Sequence, residues 1–457
     1  MLIRGRYLAL SLVVTVALSS GVTAFVMKNT NNTVAGAPAD FTKLNQVYQA
    51  LQQNYYQDVD SKKLVNGAID GMVKALDDPY SSYMDEQDAA AFTETIESKF
   101  EGIGAEISEE DGNIVVVSPI KGSPAEEAGI KPNDKILSVN GTLLSGMNVS
   151  EAVKYIRGEK GSKAELVVRR AGETTDRHIT IVRDEIPLET VSSEMLEDGM
   201  GKIAITRFSA STAEEFEKAL SGLQSQGMKG LILDLRQNPG GLLDQAVEIG
   251  NKLIPDNKLI LQVQYRDGTK EVYRSKHEGA SDFPIVALVD GGSASAAEIM
   301  AGALKESGDF PLVGEKTFGK GTVQTVKDFT DKSNVKYTIA KWLTPDGNWI
   351  HKKGIEPDYK VELPSYASLP YIDPAQELKP DTFSNEIKSA EEMLVAIGYN
   401  PGAVDGFFDE KTEIAVRAFQ RMEGFEANGV ITGKTTEKLM DRVSDKIKKN
   451  DTQLDKA

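Results

Sequence analysis

Residues 284–299 read PIVALVDGGSASAAEI, and this stretch decides the fold of the central part of the chain. A short continuous apolar run is typical of a strand buried on both faces, and here it passes through a glycine-bearing turn into a helical pattern. A second such run, GLILDL at 230–235, leads through NPGG into a helical stretch at 242–253. Residues 191–363 therefore predict an α/β unit whose working loops lie at strand ends.

The first turn places Ser295 ahead of a predicted helix at 299–305. Free N–H groups and the helix dipole at that position favour developing negative charge, as an acyl-transfer nucleophile requires. Ser295 to Glu298 also fit the Ser-x-x-Glu capping box, and capping serines greatly outnumber catalytic ones. From this motif alone, a helix cap is the better interpretation.

The segment GEKTFGKGTVQ at 314–324 favours a catalytic role for Ser295 over a helix cap, because it offers a candidate base. Its Lys320 stands between two glycines in a sparsely charged stretch. A lysine amine has an ordinary pKa of about 10.4 and acts as a base at neutral pH only when burial or neighbouring charges lower it. Gln324 is a candidate to hold the lysine, and since four residues of strand span ~13 Å, the chain must turn between them. An exposed lysine in a glycine hairpin is the commoner fate of a single lysine.

Composition excludes several other chemistries. The chain has no cysteine, which removes disulfides, thiolate metal sites and cysteine nucleophiles, and its three scattered histidines do not support a zinc site. With 52 basic and 69 acidic residues, the formal charge of −17 argues against nucleic acid as a partner. A length of 457 residues predicts about three domains.

The amino terminus carries a targeting signal. Arg4 and Arg6 precede an uncharged, mostly apolar run of 21 residues, 7–27, which is long enough to span a bilayer. No persuasive cleavage site follows, so secretion after signal cleavage is the weaker alternative. We expect residues 1–30 to be a membrane anchor, and the positive-inside tendency then places the rest of the chain outside the cytoplasm.

The next segment, residues 41–100, has helical spacing that is broken by DDP at 77–79. It is too short for a core of its own, so it is expected to pack onto another domain or onto a second copy of the chain. Both alternatives stay open, and a homodimer is the more specific hypothesis of the two. Near the other end, a proline-rich connector at 364–381 precedes a mostly helical segment at 382–443.

In residues 101–185 the sequence pattern changes from helical spacing to short β segments. Strands are predicted at 114–117, 136–139 and 164–168, with a helix at 149–156. The turn at 102–105 offers successive N–H groups as a nest for a carboxylate, and the strand that follows can accept an extended peptide. The candidate residues for binding a free peptide carboxyl terminus are Gly102, Ile103, Gly104 and Ala105.

This stretch resembles a PDZ domain. The resemblance rests on GIGA at 102–105, on SPA at 123–125 through GI at 129–130, and on DKILSVNG at 134–141. Arg157 follows the predicted helix that lines one side of the peptide groove. It is either a favourable partner for the helix dipole or a residue that couples peptide binding to another domain.

Over most of its length, residues 41–363, the chain resembles the carboxyl-terminal processing peptidases, also called tail-specific proteases. Besides the PDZ pattern, the motifs in family order are DPYS at 78–81, DLR at 234–236, NPGG at 238–241, GSASA at 292–296, TFGKGTVQ at 317–324, LTPDG at 343–347 and GIEPD at 354–358. One departure is Ala297, where many relatives have serine; it touches no assigned role.

This resemblance implies a multidomain α/β protein. Its clp/crotonase-like protease core, residues 186–363, would carry an inserted PDZ domain, a helical unit before it and a helical domain after it. The implied activity is a serine endopeptidase with a Ser295, Lys320 and Gln324 arrangement that cleaves near substrate carboxyl termini. The N–H groups of Ala296 and of a glycine in the pair Gly240 and Gly241 would hold the oxyanion, and neither metal nor cofactor is needed.

Residues 382–443 resemble a small helical peptidoglycan-binding domain, with VDG at 404–406 between two helices. Asp409 stands where that family usually has glycine, so subunit contact is the alternative to cell-wall binding. Phe419 is predicted to be a core residue.

Two rival functions differ in kind. The first is a catalytically silent scaffold that tethers partners through its PDZ and wall-binding domains; the intact catalytic set argues against it. The second is a penicillin-interactive serine enzyme, which places a lysine three residues after the serine, where this chain has Glu298.

Overall fold

The computed structural model describes residues 39–110, 112–170, 172–276 and 283–457. The chain divides into two compact units, Met1–Tyr83 and Met84–Ala457. The predicted anchor at 7–27 lies outside the described residues. Within the ranges that are described, no helix is both long enough and apolar enough to cross a membrane.

The first unit contains helix α1, Ala39–Asn54, and helix α2, Ser61–Lys74, and strand β1, Ser82–Met84, begins at its end. The Asp60 carboxylate caps α2 by accepting hydrogen bonds from the N–H groups of Lys62 and Lys63. The apolar residues of α1 are 40–51% exposed: Phe41, Leu44, Val47 and Leu51. This exposure agrees with a unit that has too few residues for its own core.

The second unit begins with helix α3, Glu86–Glu97, followed by strand β2, Lys99–Gly102. Between them, Ser98 adopts a left-handed conformation with φ of 50°, which ends the helix. The helical segment predicted at 41–100 therefore stops earlier than expected, and its last residues belong to a strand.

The β-rich module follows. Its elements are β3 Ala105–Glu110, β4 Asn113–Pro119, α4 Pro124–Glu127, β5 Lys135–Val139, β6 Thr142–Leu143, α5 Val149–Ile156, β7 Lys163–Arg169, β8 Arg177–Val182 and β9 Asp184–Pro187. The strand order is β3–β4–β5–β7–β8, with β6 beside β5, and β2 pairs with β9 where the chain enters and leaves the module. The predicted strands and helix are confirmed by β4, β5, β7 and α5. Because β3 is an edge strand, one side of it is open to a further strand.

The core of the second unit contains two sheets. Its elements are β10 Val191–Met195, β11 Met200–Ile205, α6 Thr212–Ser225, β12 Gly230–Asp234, α7 Leu243–Leu253, β13 Leu259–Tyr265, β14 Lys270–Arg274, β15 Ile285–Val289, α8 Ala296–Glu306, β16 Leu312–Gly314, β17 Thr322–Asp328, β18 Asn334–Leu343 and β19 Tyr359–Lys360. The first sheet has the order β10–β11–β12–β15–β16–β19 and is parallel except for β10. In the second, antiparallel sheet, β13 pairs with β14 and β18, and β18 pairs with β17.

The parallel sheet positions the working loops. Both predicted buried strands are confirmed: all five residues of β12 are buried, and β15 lies directly beside it, with Asp234 opposite Leu288. The loops that leave the carboxyl ends of these two strands therefore meet, which is where open α/β sheets bind ligands.

The carboxyl-terminal part is helical, as predicted. Its elements are a 3₁₀ turn Ser365–Ser368, α9 Asn385–Ala396, α10 Glu410–Met422, α11 Lys434–Lys449 and α12 Thr452–Lys456. Phe419 is 1% exposed, which confirms it as a core residue. The connector at 364–381 packs with the helical domain that follows it, although its composition suggested a separate linker. Its residues Ile372 and Leu378 are buried in the same apolar cluster as Phe419.

Candidate active site

Ser295 occupies a strained turn at the start of α8. Its backbone has φ of 55° and ψ of −115°, whereas a serine that only caps a helix normally has an extended conformation. A non-glycine residue with this positive φ costs on the order of 1–3 kcal/mol, and such strain is concentrated at functional sites. The capping interpretation alone gives no reason for this strain.

The carboxylate of Glu298 organises the site. It is fully buried and accepts four hydrogen bonds, from the N–H groups of Ser295 at 2.9 Å, Gly319 at 2.7 Å and Lys320 at 2.8 Å and from the Thr317 hydroxyl at 2.6 Å. Burial raises the pKa of Glu298, and these hydrogen bonds act in the opposite direction. One side chain thus joins the turn at 292–295, which ends in the candidate nucleophile Ser295 (the nucleophile turn), to the loop at 315–321, which carries Lys320 (the lysine loop).

The sequence indicates only part of the role of Glu298. The Ser-x-x-Glu spacing correctly indicated the bond from Glu298 to the Ser295 N–H. Nothing in that local pattern shows that the same carboxylate reaches a loop about twenty residues further along the chain. The sequence signal for this wider role was the position of Glu298 inside a run of small apolar residues.

The lysine loop is held by both tryptophans of the chain. The indole N–H of Trp342 donates to the Lys320 carbonyl, and that of Trp349 donates to the Gly321 carbonyl, each at 2.8 Å. Gly319 has φ of 93°, and a Cβ there would lie 2.8 Å from a backbone nitrogen of the neighbouring segment. The flanking glycine is therefore required by close backbone packing.

Gln324 lies in β17, directly after a register shift between Val323 and Gln324. Bulges bend a strand locally, and this one lies between Lys320 and the Gln324 side chain. The Gln324 amide nitrogen donates to the hydroxyls of Thr322 at 3.0 Å and Thr338 at 3.1 Å. With its nitrogen so engaged, the amide is held in one orientation and presents its oxygen on the opposite side.

The predicted catalytic residues line one cavity of about 440 Å³. The nucleophile, base and glutamine candidates are there together with the candidate oxyanion residues: Ser295, Lys320, Gln324, Ala296, Gly240 and Gly241. The cavity is also lined by Phe92 and Ile96 of α3. Residues that are more than 80 positions apart in the sequence are thus brought to one site.

The two glycines have different roles. Gly240 packs against Ser295 so closely that a Cβ there would lie 2.7 Å from the Ser295 Cβ. Its N–H donates to Asn238 Oδ1 at 2.8 Å. The N–H of Gly241 has no such partner within the described ranges, so Gly241 is the better candidate for the oxyanion.

The carboxylate-binding candidates form a tight turn before β3. Gly104 has φ of 77°, and a Cβ there would lie 2.3 Å from the Ser123 Cβ, so only glycine fits. The carbonyls of this turn are occupied: Gly104 O accepts from Ser123 Oγ at 2.7 Å, and Ile103 O accepts from Ala125 N at 2.8 Å. The turn leads directly into the edge strand β3, next to which α5 lies.

Arg157 ends α5 and reaches out of the β-rich module. Its guanidinium donates to Glu94 Oε2 of α3 at 2.6 Å and lies 4.7 Å from the centre of the Phe100 ring. Glu94 shares α3 with Phe92 and Ile96, which line the catalytic cavity. Arg157 therefore connects the end of α5 to α3, a helix that borders the cavity.

Family models match four parts of the chain. They are "Activating protease CtpB N-terminal domain" at residues 5–88, "PDZ domain" at 115–170, "Peptidase family S41" at 199–361 and "Putative peptidoglycan binding domain" at 384–439.

Relatives match over nearly the full length. "Carboxy-terminal processing protease CtpA" of Bacillus subtilis is 50% identical over 448 residues, which are 97% of this chain and 96% of the relative. "Carboxy-terminal processing protease CtpB" of the same organism is 44% identical and covers 91% of this chain and 88% of its own length. Among solved structures, the photosystem II D1 C-terminal processing protease is 31% identical, with a TM-score of 0.43 over 71% of this chain and 88% of that one.

Replacing Glu298 by glutamine should impair chemistry more than substrate binding. In the less costly orientation the amide nitrogen takes the place of Oε1 and faces the Gly319 N–H, while the Thr317 hydroxyl can turn to accept. Leaving this buried N–H unsatisfied should lower kcat by roughly 30-fold, or about 2 kcal/mol. KM should change less than about threefold. Because burial raises the pKa of Glu298, wild-type activity should also fall on acidification as the carboxyl group protonates.

Glu356→Gln is the matched control, since that carboxylate is exposed and pairs only with Lys316 at 2.9 Å among the contacts of the described chain. It should leave kcat unchanged. A Glu298→Gln enzyme with wild-type kcat would show that the four hydrogen bonds do not position the catalytic groups.

Proposed function

Because the chain belongs to the carboxy-terminal processing proteases of peptidase family S41, with a PDZ domain inserted ahead of its protease core, we propose that it cleaves proteins near their free carboxyl terminus with Ser295 as nucleophile and Lys320 as general base. The observation that carries this proposal is the shared cavity, in which a strained serine turn and the lysine loop are tied together by Glu298.

In the proposed mechanism, the neutral Lys320 amine takes the hydroxyl proton of Ser295 while its oxygen attacks the scissile carbonyl. The N–H groups of Ala296 and Gly241 stabilise the oxyanion of the tetrahedral intermediate. Lys320 then protonates the leaving amine, and an acyl-enzyme forms. Water, activated by the same amine, hydrolyses this ester and regenerates the serine. Gln324 orients the lysine without transferring a proton.

The silent scaffold is the alternative function. A scaffold has no use for a strained Ser295 backbone or for a buried carboxylate that joins two loops of the cavity. The penicillin-interactive mechanism is also disfavoured, because Glu298 occupies the position of its lysine and is already bonded to four donors.

Ser295→Ala and Lys320→Ala should each lower cleavage of an unstructured protein by a factor on the order of 10⁴ or more, while the fold is retained. A fluorophosphonate probe should label the wild-type protein and neither variant. Lys316→Ala, which removes an exposed lysine of the same loop, is the control and should keep full activity. Near wild-type turnover by Lys320→Ala would refute the assignment of the base.

The PDZ domain is proposed to capture the substrate's terminal carboxylate at Gly102 to Ala105 and to add the peptide as a strand beside β3. Supporting features are the glycine-only turn at Gly104 and the open edge of β3 next to α5. Main-chain pairing would supply affinity, and the carboxylate would set the position of the peptide.

Amidating the terminal carboxylate of a bound peptide should therefore weaken its affinity by about 1.5–3 kcal/mol, the value of charge-assisted hydrogen bonds. Isothermal titration of the full-length Ser295→Ala protein with acid and amide forms of one peptide measures this difference. Equal affinities would exclude carboxylate capture.

Arg157 is proposed to couple the PDZ domain to the protease site. Its ion pair with Glu94 joins the groove helix to α3, so movement at the peptide groove would shift the wall of the catalytic cavity. A resting state with a misaligned wall would protect neighbouring proteins from cleavage until a carboxyl terminus is bound.

A double-mutant cycle tests this pair. Arg157→Ala and Glu94→Gln should each change kcat for a PDZ-engaging substrate by roughly threefold or more, and the double variant should resemble either single one. Peptide affinity of the isolated PDZ domain, residues 101–185, should change far less in Arg157→Ala, because the arginine acts on the coupling between the two sites. Additive effects, or equal effects on cleavage and on peptide affinity, would show that the pair does not couple the two sites.

The amino-terminal unit is proposed to mediate homodimer formation outside the cytoplasm, behind a membrane anchor at residues 1–30. The exposed apolar row of α1 supports a second copy as its partner. Sedimentation of the chain with and without residues 39–83 tests the dimer. Protease protection in spheroplasts tests the location.

The carboxyl-terminal domain is proposed to bind peptidoglycan, on the strength of the family model that matches residues 384–439. Asp409 does not weaken the fold there, because it caps α10 by accepting from the N–H groups of Lys411 and Thr412 at 2.8 Å. Co-sedimentation with purified cell wall, compared with a chain that ends before the domain, tests this binding.

A further inference from the structure

The catalytic cavity carries a positive charge that the chain as a whole does not have. Three cationic residues line it, Arg207, Lys320 and Lys336, and none of its lining residues in the described structure is an aspartate or a glutamate. The whole chain has a formal charge of −17, so a cavity without carboxylates departs from its average composition. Positive charge is therefore concentrated where a substrate would be cleaved.

A neighbouring cavity of about 520 Å³ has the opposite charge, and it lies against a different face of α3. Seven carboxylates and three cationic side chains line it: Glu86, Glu94, Glu97, Glu101, Glu159, Glu185 and Asp328, with Lys99, Arg157 and Lys332. The two cavities share one helix but differ in the sign of their charge. The cationic lining is thus a property of the catalytic cavity and not of the surrounding surface.

Arg207 is held beside the proposed oxyanion residues by its neighbour Phe208. The Phe208 N–H donates to the Gly240 carbonyl at 2.9 Å, and its carbonyl accepts from the Leu242 N–H at 2.7 Å. These bonds fix the backbone at Arg207, whose side chain is half-buried. Within the described ranges its guanidinium has no ion pair, in contrast to that of Arg236, which pairs with a carboxylate at 2.7 Å.

Lys336 reaches the cavity from β18. It lies opposite Val326 of β17, and its Nζ is 5.1 Å from the centre of the Phe92 ring of α3. Val326 and Phe92 both line the cavity. The cation–π contact holds the ammonium group at the cavity wall without neutralising its charge, and no carboxylate pairs with it in the part of the chain that the structure describes.

The proposed mechanism does not use these two side chains. Acyl transfer requires the nucleophile, the base and the oxyanion donors, and these roles are held by other residues. A half-buried cation without an anionic partner lowers stability, so its retention in a cavity favours a role in binding. A carboxylate that entered the cavity would accept charge-assisted hydrogen bonds, and the planar fork of an arginine fits both of its oxygens.

We infer that Arg207 and Lys336 form a carboxylate subsite that selects substrates with an aspartate or glutamate side chain close to the scissile bond. The inference rests on the proposed function. An endopeptidase holds an internal part of a peptide at its serine, and the terminal carboxylate is proposed to lie at the PDZ turn. The carboxylate that meets the catalytic cavity is therefore that of a side chain.

The test uses the full-length enzyme and an unstructured reporter polypeptide whose cleavage site is mapped by mass spectrometry. In a reporter with no charged residue near that site, the three residues on each side are changed one at a time to glutamate and to glutamine. The ratio of kcat/KM for the two forms is the readout. A general loss of activity cancels in this ratio, so it reports only on the choice between carboxylate and amide.

At one or more positions, the wild-type enzyme should cleave the glutamate form roughly tenfold or more faster than the glutamine form, because charge-assisted hydrogen bonds are stronger than neutral ones. Arg207→Gln and Lys336→Gln should each lower this ratio to about a third or less. Lys327→Gln is the matched control, since Lys327 is an exposed lysine of β17 that does not line the cavity. It should keep the wild-type ratio.

Arg207→Glu provides a test that loss of folding cannot imitate. With the charge of the subsite reversed at this residue, the enzyme should cleave a lysine form of the reporter faster than the glutamate form at the same position. Circular dichroism confirms that each variant is folded. An Arg207→Glu enzyme that keeps the wild-type preference for glutamate would refute the subsite.

The remaining outcomes separate this inference from the proposed function. A wild-type enzyme that cleaves no form of the reporter, or a Ser295→Ala variant that cleaves as fast as wild type, would refute the proposed function. Cleavage of glutamate and glutamine forms at equal rates at every position would leave that function standing and refute the carboxylate subsite. Equal losses for both forms in Arg207→Gln and Lys336→Gln would assign the two cations to the reaction itself and refute it too. So would a change confined to the ratio between acid and amide forms of the reporter's terminus.

Discussion

A single buried carboxylate holds the catalytic site together. Glu298 has no exposed surface, and a carboxylate in that position is tolerated only when its lone pairs are satisfied. Its four donors come from the nucleophile turn and from the lysine loop, so the two loops must reach their final positions for the carboxylate to be satisfied. The strained backbone of Ser295 persists because this network over-determines it.

The lysine loop has a second support that is independent of Glu298. The indole groups of Trp342 and Trp349 bind the carbonyls of Lys320 and Gly321, so the loop is bonded through its N–H groups on one side and through its carbonyls on the other. A lysine side chain is flexible, and fixing its backbone reduces the conformational freedom that must be lost to place the amine. This arrangement pre-organises Lys320 for the role of base that we propose for it.

Two arginines connect this site to the rest of the second unit. Arg157 joins the inserted PDZ domain to α3, whose other residues line the catalytic cavity. Arg236, two residues after the end of β12, joins Asp451 to the loop that leads into the Gly240 and Gly241 turn. Both use the planar, permanently charged guanidinium to bind carboxylates from distant parts of the sequence, which a lysine would do with less geometric definition.

The sequence by itself determined most of the secondary-structure elements and supplied the candidate catalytic residues. The buried runs at 230–235 and 284–289 predicted the central strands, short β segments separated by glycine and proline predicted the PDZ strands, and the ordered motifs named Ser295, Lys320 and Gln324 as candidates. These features depend on local patterns, which a chain displays before it folds. The tertiary structure decided which partners meet. The reach of Glu298 to Thr317, the two indole bonds to the lysine loop, the engagement of the Gly240 N–H by Asn238 and the docking of Asp451 on Arg236 all join residues by packing, and no local periodicity encodes a contact between segments that only the folded sheet brings together.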